Sequence, residues 1–71
     1  MTKEHYKKFM FVSCELNLLV KAIDPNIRYI SYSEENGNET VNITYTNCYV
    51  RKVDITADSL LAIAKDVLNH L

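Results

Sequence analysis

The side chains of this chain that could do chemistry are Cys14 and Cys48, His5 and His70, and the carboxylates of Glu34, Glu35 and Glu39. His5 and His70 stand at opposite ends of the chain, and neither cysteine has a second ligand at zinc-finger spacing, so no metal site and no cofactor are expected. Catalysis needs a nucleophile, a base and an orienting group that converge. Two histidines near the ends offer no such convergence, so no catalytic residues and no enzymatic activity are expected. His5 reads as solvated. His70 reads as a helix-stabilising residue, placed to meet Asp66 at i, i+4 and the negative end of the helix dipole. The three glutamates surround Asn36-Gly37 and could hold a cation or face a basic protein, but no EF-hand spacing supports calcium. A solvated hairpin tip is expected, with Glu34 opposite Glu39 and the like charges repelling. Asn38-Glu39-Thr40 and Asn42-Ile43-Thr44 match the N-x-[ST] pattern, which carries meaning only on a secreted chain.

With 71 residues the chain is read as one domain, 1–71, of a size whose core supplies about 3–5 kcal/mol of net stability, so self-association or a partner is a natural supplement. Eight Lys+Arg against nine Asp+Glu give a formal charge of −1. That balance lacks the basic excess by which nucleic-acid-binding proteins release counterions, so a nucleic-acid partner is disfavoured. No apolar run approaches the roughly 18 residues of a membrane span, and a soluble chain without membrane contact is expected. Glu15 and Asn17 interrupt the apolar stretch from Phe9 to Val20, which does not suit a signal peptide. A reducing cytoplasm is the expected compartment, where Cys14 and Cys48 would be small buried hydrophobes and not a disulfide. Six Ile, six Lys, five Tyr and seven Asn against two Arg resemble the codon bias of an AT-rich genome, such as that of a low-GC bacterium or its phage.

These residues must be positioned by the elements that the punctuation marks out. Pro25 disfavours a helical Asp24 and ends the first helical segment near Ile23. Asn36-Gly37 is the signal of a type I′ hairpin turn, which needs positive φ at both central residues. A two-residue turn there pairs Glu35 with Asn38, Tyr32 with Val41 and Ile30 with Ile43. One sheet face then carries Ile30, Tyr32, Val41, Ile43 and Tyr45, and the other Ser31, Ser33, Thr40, Asn42 and Thr44. Strands are expected near 27–34 and 38–46. A third strand is expected over Tyr49 to Ile55, with an odd loop and a bulge turning Tyr49, Val53 and Ile55 inward, whereas an even loop would turn Val50 inward. An odd loop that left Lys52 beside Tyr29 would make the polar face a candidate for base stacking. A final helix over 57–71, capped by Thr56 or Asp54, carries Leu60, Ile63, Ala64, Val67, Leu68 and Leu71 on one stripe and Asp58, Ala62, Lys65, Asp66 and Asn69 on the other.

The segment from Thr2 to Ile23 shows two apolar stripes. Phe9, Val12, Leu16, Leu19, Val20 and Ile23 recur at core spacing. Met10, Phe11, Cys14 and Leu18 form a second stripe on roughly the opposite side, between Lys7 and Lys21, where a two-layer domain has no use for it. Three readings account for it. Lys8 to Val12 could be a strand, with Ser13 capping a shorter helix; the final helix could cover part of the stripe; or the stripe is an interface with a protein partner or a second copy. Met adapts to irregular surfaces and aromatic residues are enriched at interfaces.

The expected fold is α+β, in the order α-β-β-β-α, a three-stranded antiparallel meander with two helices on one face. This order from about Ser13 to Leu71 resembles the double-stranded-RNA-binding domain in topology. That family reads RNA through a Gly-Pro-His loop and a lysine-rich helix start, and this chain has Glu35-Asn36-Gly37-Asn38 and Thr56-Ala57-Asp58-Ser59-Leu60 at those places. The expected function is that of a small non-enzymatic interaction or regulatory protein, of phage or mobile-element origin, acting through protein contacts at Met10, Phe11, Cys14 and Leu18, with homodimerisation its simplest version. The alternative is a nucleic-acid-binding module of that resembling topology. No small-molecule ligand is inferred.

Overall fold

The computed structural model describes residues 2–71. Its order is α1 (Lys3–Met10), a π-helical segment (Phe11–Leu16), α2 (Asn17–Ile23), β1 (Ile27–Glu35), β2 (Asn38–Tyr45), β3 (Val50–Asp54) and α3 (Leu60–Asn69). The strands form one antiparallel sheet in the order β1-β2-β3. The α+β class and the α-β-β-β-α order are those read from the sequence.

α1, the π segment and α2 are one continuous rod, since the junction residues Phe11 and Asn17 keep right-handed helical dihedrals. Residues 8–12 are therefore helical and not a strand, and Ser13 caps nothing. Thr2 is the cap, its Oγ1 accepting the His5 N–H at 3.2 Å. The rod ends at extended Asp24, before Pro25, as proline sterics require.

The buried side chains of the rod are Lys8, Val12, Leu16 and Val20, every fourth residue. In an α-helix four residues overshoot a full turn by about 40°, so such a stripe would spiral off a sheet within three steps. The wider π turns between Phe11 and Leu16 reverse that rotation and keep the stripe over the strands. Of the core face expected from the sequence, Val12, Leu16 and Val20 are buried, whereas Phe9, Leu19 and Ile23 are exposed on the flanks. A regular 3.6-residue period spreads the stripe too widely when one stretch of the helix is underwound.

The hairpin has the expected register, from Glu35 opposite Asn38 to Ile30 opposite Ile43. Asn36 and Gly37 take φ of 53° and 85°, as a type I′ turn demands. A bulge at Arg28 between Ile27 and Tyr29 lets both Ile27 and Ile30 face the core. β2 passes to β3 through Thr46, Asn47 and Cys48, the odd loop, with Cys48 at φ 71°. Val41 then stands opposite Val53, and Val53 and Ile55 are buried as expected. Tyr49 is not turned into the core. It lies exposed at the sheet end against Tyr45, ring centroids 5.9 Å apart.

α3 starts later than its sequence signals suggest. Ser59 is the cap, accepting the Ala62 N–H at 3.2 Å, while Asp54 and Thr56 are occupied with each other in the preceding turn. The helix ends at Asn69, not at Leu71. Ile63 and Val67 are its buried residues, Ala64 packs against the core, and Leu60, Leu68 and Leu71 remain exposed in part. The core lies between the inner sheet face and the helices. Among the described residues no helix is long and apolar enough to cross a membrane.

Candidate functional site

Two features stand apart from an ordinary two-layer core: a buried charge cluster at one end and the outward face of the helical layer. Period-two alternation along β2 places Glu39 on the inner face with Val41 and Ile43, and the four-residue stripe places Lys8 over it. Lys8 and Glu39 are 7% and 3% exposed. The Lys8 ammonium donates to both carboxylate oxygens, at 2.9 Å to Oε1 and 3.0 Å to Oε2. The Tyr32 hydroxyl donates to Oε2 at 2.6 Å and the Ala57 N–H to Oε1 at 3.1 Å. Each oxygen thus accepts two bonds, and the carboxylate has no acceptor capacity aimed outward. His5 Nε2 lies 3.8 Å from Oε2, so His5 borders this cluster and is not fully solvated.

Burial alone pushes the Glu39 carboxyl up, but the bonds from Tyr32, Lys8 and Ala57 outweigh it and hold the group below the usual carboxylate range. Tyr32 is pushed well above the usual phenol range, by burial first and then by donating to a carboxylate. Glu39 is consequently no part of a repelling solvated tip. Only Glu34 and Glu35 are exposed there, and Glu34 Oε1 accepts the Gly37 N–H at 3.2 Å. Ala57 reaches Glu39 by adopting a φ of 65°, a left-handed conformation that costs an alanine energy. Chemically the cluster is a lock joining α1, the hairpin and the turn before α3. Beside it Asp58 is pushed above the usual carboxylate range by the neighbouring Asp66 carboxylate and by burial.

The other surfaces differ sharply in character. The outer sheet face is mostly polar, with Asn42 donating to Ser33 at 3.2 Å, and carries exposed Tyr29 and Val50 on either side of Thr44. Lys52 stands opposite Asn42 and Tyr29 opposite Thr44, so these two are not side by side. The β1 edge is partly closed by Asn17, whose Oδ1 accepts the Ile30 N–H at 2.9 Å. The β3 edge is five residues long and carries Lys52 at its middle, features that discourage pairing with another strand.

Among the described residues most of the exposed large apolar side chains lie on the helices. Met10 is 40% and Leu18 71% exposed, and Cys14 is exposed with its thiol free. Phe11 is different, half-buried and packed against the core. Of the four residues singled out in the sequence, Met10, Phe11 and Cys14 share one shallow groove with Tyr6, Lys7, Glu15 and Leu60, and Leu18 follows one turn beyond. Leu60, at the start of α3, is the one residue of that helix that lines the groove. Cys48 is exposed as well, so neither cysteine is a buried hydrophobe. Sequence reasoning missed Tyr6 and Leu60 at this groove. It also missed Lys8 and Glu39, although a lysine four residues before Val12 and a glutamate in step with Val41 are charged residues at core positions of both patterns. His70 does meet Asp66, but through the backbone: its Nδ1 lies 2.7 Å from the Asp66 carbonyl oxygen.

Comparison of the chain with family models, with curated proteins and with solved structures gives no match.

Proposed function

We propose that this chain is a small interaction or regulatory protein that works by binding another protein through the outward face of its first helix. The observation that carries this reading is the exposure of Met10, Cys14 and Leu18 along one column of the first helix, with Tyr6 and Leu60 lining the same groove as Met10 and Cys14, while Val12, Leu16 and Val20 of the same helix fill the core. Exposed apolar surface of this kind costs solubility and is retained where a partner covers it. The mostly polar outer sheet face and the two guarded edges leave the helical layer as the surface best suited to a protein. Each named residue contributes contact area and not chemistry: Met10 adapts its shape, Leu18 projects furthest, and Cys14 leaves room for close approach.

The test is a pair of substitutions. Met10→Glu and Leu18→Glu change exposed side chains and should leave the fold intact by circular dichroism, while lowering solution mass or abolishing capture of a partner. Phe11→Glu is a poor probe, because Phe11 packs on the core and its loss would unfold the domain. A folded Met10→Glu/Leu18→Glu protein with unchanged mass and unchanged partners would exclude this surface.

A further inference from the structure

The partner can be named from the arrangement of charge around the groove, on the premise that the helical face is an interface. Four-residue steps place Tyr6, Met10, Cys14 and Leu18 in one column along the rod and Lys7, Phe11 and Glu15 in the next. Both columns are self-complementary when reversed. The first runs from an aromatic residue through Met and Cys to Leu, with its midpoint at the level of Val12. The second has a cation at one end, an anion at the other and Phe11 between them. The two midpoints differ by one residue, about 1.5 Å along the axis, so a single twofold axis serves both.

We propose that the occupant of this groove is a second copy of the chain, its first helix packed antiparallel about a twofold axis beside Phe11. Lys7 of each copy then meets Glu15 of the other, Met10 meets Cys14, and Tyr6 meets Leu18. A closed dimer requires a patch that is complementary to itself, and this patch is. Lys7 and Glu15 are both exposed and line the same groove, so neither is engaged in the core. The formal charge of −1 sets no general repulsion between copies. A standard interface takes about 800 Å² from each partner, roughly a sixth of the 4654 Å² surface of this chain, an area that one face can supply.

Sedimentation equilibrium over a range of concentrations tests this with the charge reversals Lys7→Glu and Glu15→Lys, alone and together. The unaltered chain should sediment as a dimer. Each single reversal places like charges together twice per dimer and should weaken association about tenfold at low salt, less at high salt. The double reversal should restore it. A double variant as weak as the singles would overturn the antiparallel pairing, and if Met10→Glu still lowered the mass the interface reading would stand without it. A chain that is monomeric at every concentration would overturn the second copy as occupant, leaving a foreign protein to be sought with the Met10 and Leu18 variants.

Discussion

The Lys8 ammonium holds both carboxylate oxygens of Glu39, across 31 positions of sequence, at 2.9 and 3.0 Å in a site closed to solvent. Desolvating two charges is expensive, and such a pair repays that cost only when its geometry is good and its remaining hydrogen-bonding capacity is filled. Tyr32 and Ala57 fill it here. The pair ties the first helix to the second strand in one register.

Removing one partner should therefore be far worse than neutralising both. Lys8→Met leaves a buried carboxylate without its counterion, a loss of about 3–5 kcal/mol. That equals the net stability expected of so small a core, about 3–5 kcal/mol. The expected outcome is a largely unfolded Lys8→Met chain by circular dichroism, with Lys8→Met/Glu39→Gln recovering a cooperative urea transition.

Acid should act through the same carboxylate. Glu39 is held below its ordinary value of 4.5 in the folded chain, so its ionised form favours folding. Its contribution is complete above the unfolded value and is lost as pH falls from there through the lower folded value. Urea midpoints should be flat from pH 7 to about 5 as far as this group is concerned, and fall below. In the Lys8→Met/Glu39→Gln chain, which lacks this carboxylate and leaves no buried charge unpaired, that acid-dependent fall should shrink.

The Asn17 side chain guards the first edge strand. Asn17→Ala leaves the part-buried Ile30 N–H without its acceptor and should cost about 1–3 kcal/mol in a urea titration. The freed edge should also raise aggregation on heating, visible as light scattering. A variant with unchanged midpoint and unchanged scattering would show that the contact protects nothing.

The elements most legible in the sequence are those specified by neighbouring residues. Asn36-Gly37 names its turn and, through it, the whole β1-β2 register, because side-chain alternation has period two and a slip would turn Ile30 and Ile43 to water. Pro25 ends the first helix for an equally local reason. The start of the last helix was less legible. Asp54, Thr56 and Ser59 are all competent caps, and the left-handed turn at Ala57 decides that Ser59 serves.

The sequence by itself determined the α+β order, the hairpin and the presence of more apolar helix surface than one sheet can cover, because periodicity, turn chemistry and proline sterics act over a few residues. Only the tertiary structure decided which stripe of the first helix is buried, since that depends on a π segment whose wider turns realign Lys8, Val12, Leu16 and Val20 over the sheet. It also decided that Phe11 packs inward while Met10, Cys14 and Leu18 face out, and that Lys8 and Glu39 meet. Such pairings depend on where whole elements come to rest, and a charge at a core position does not name its partner until the packing brings the two within hydrogen-bond distance.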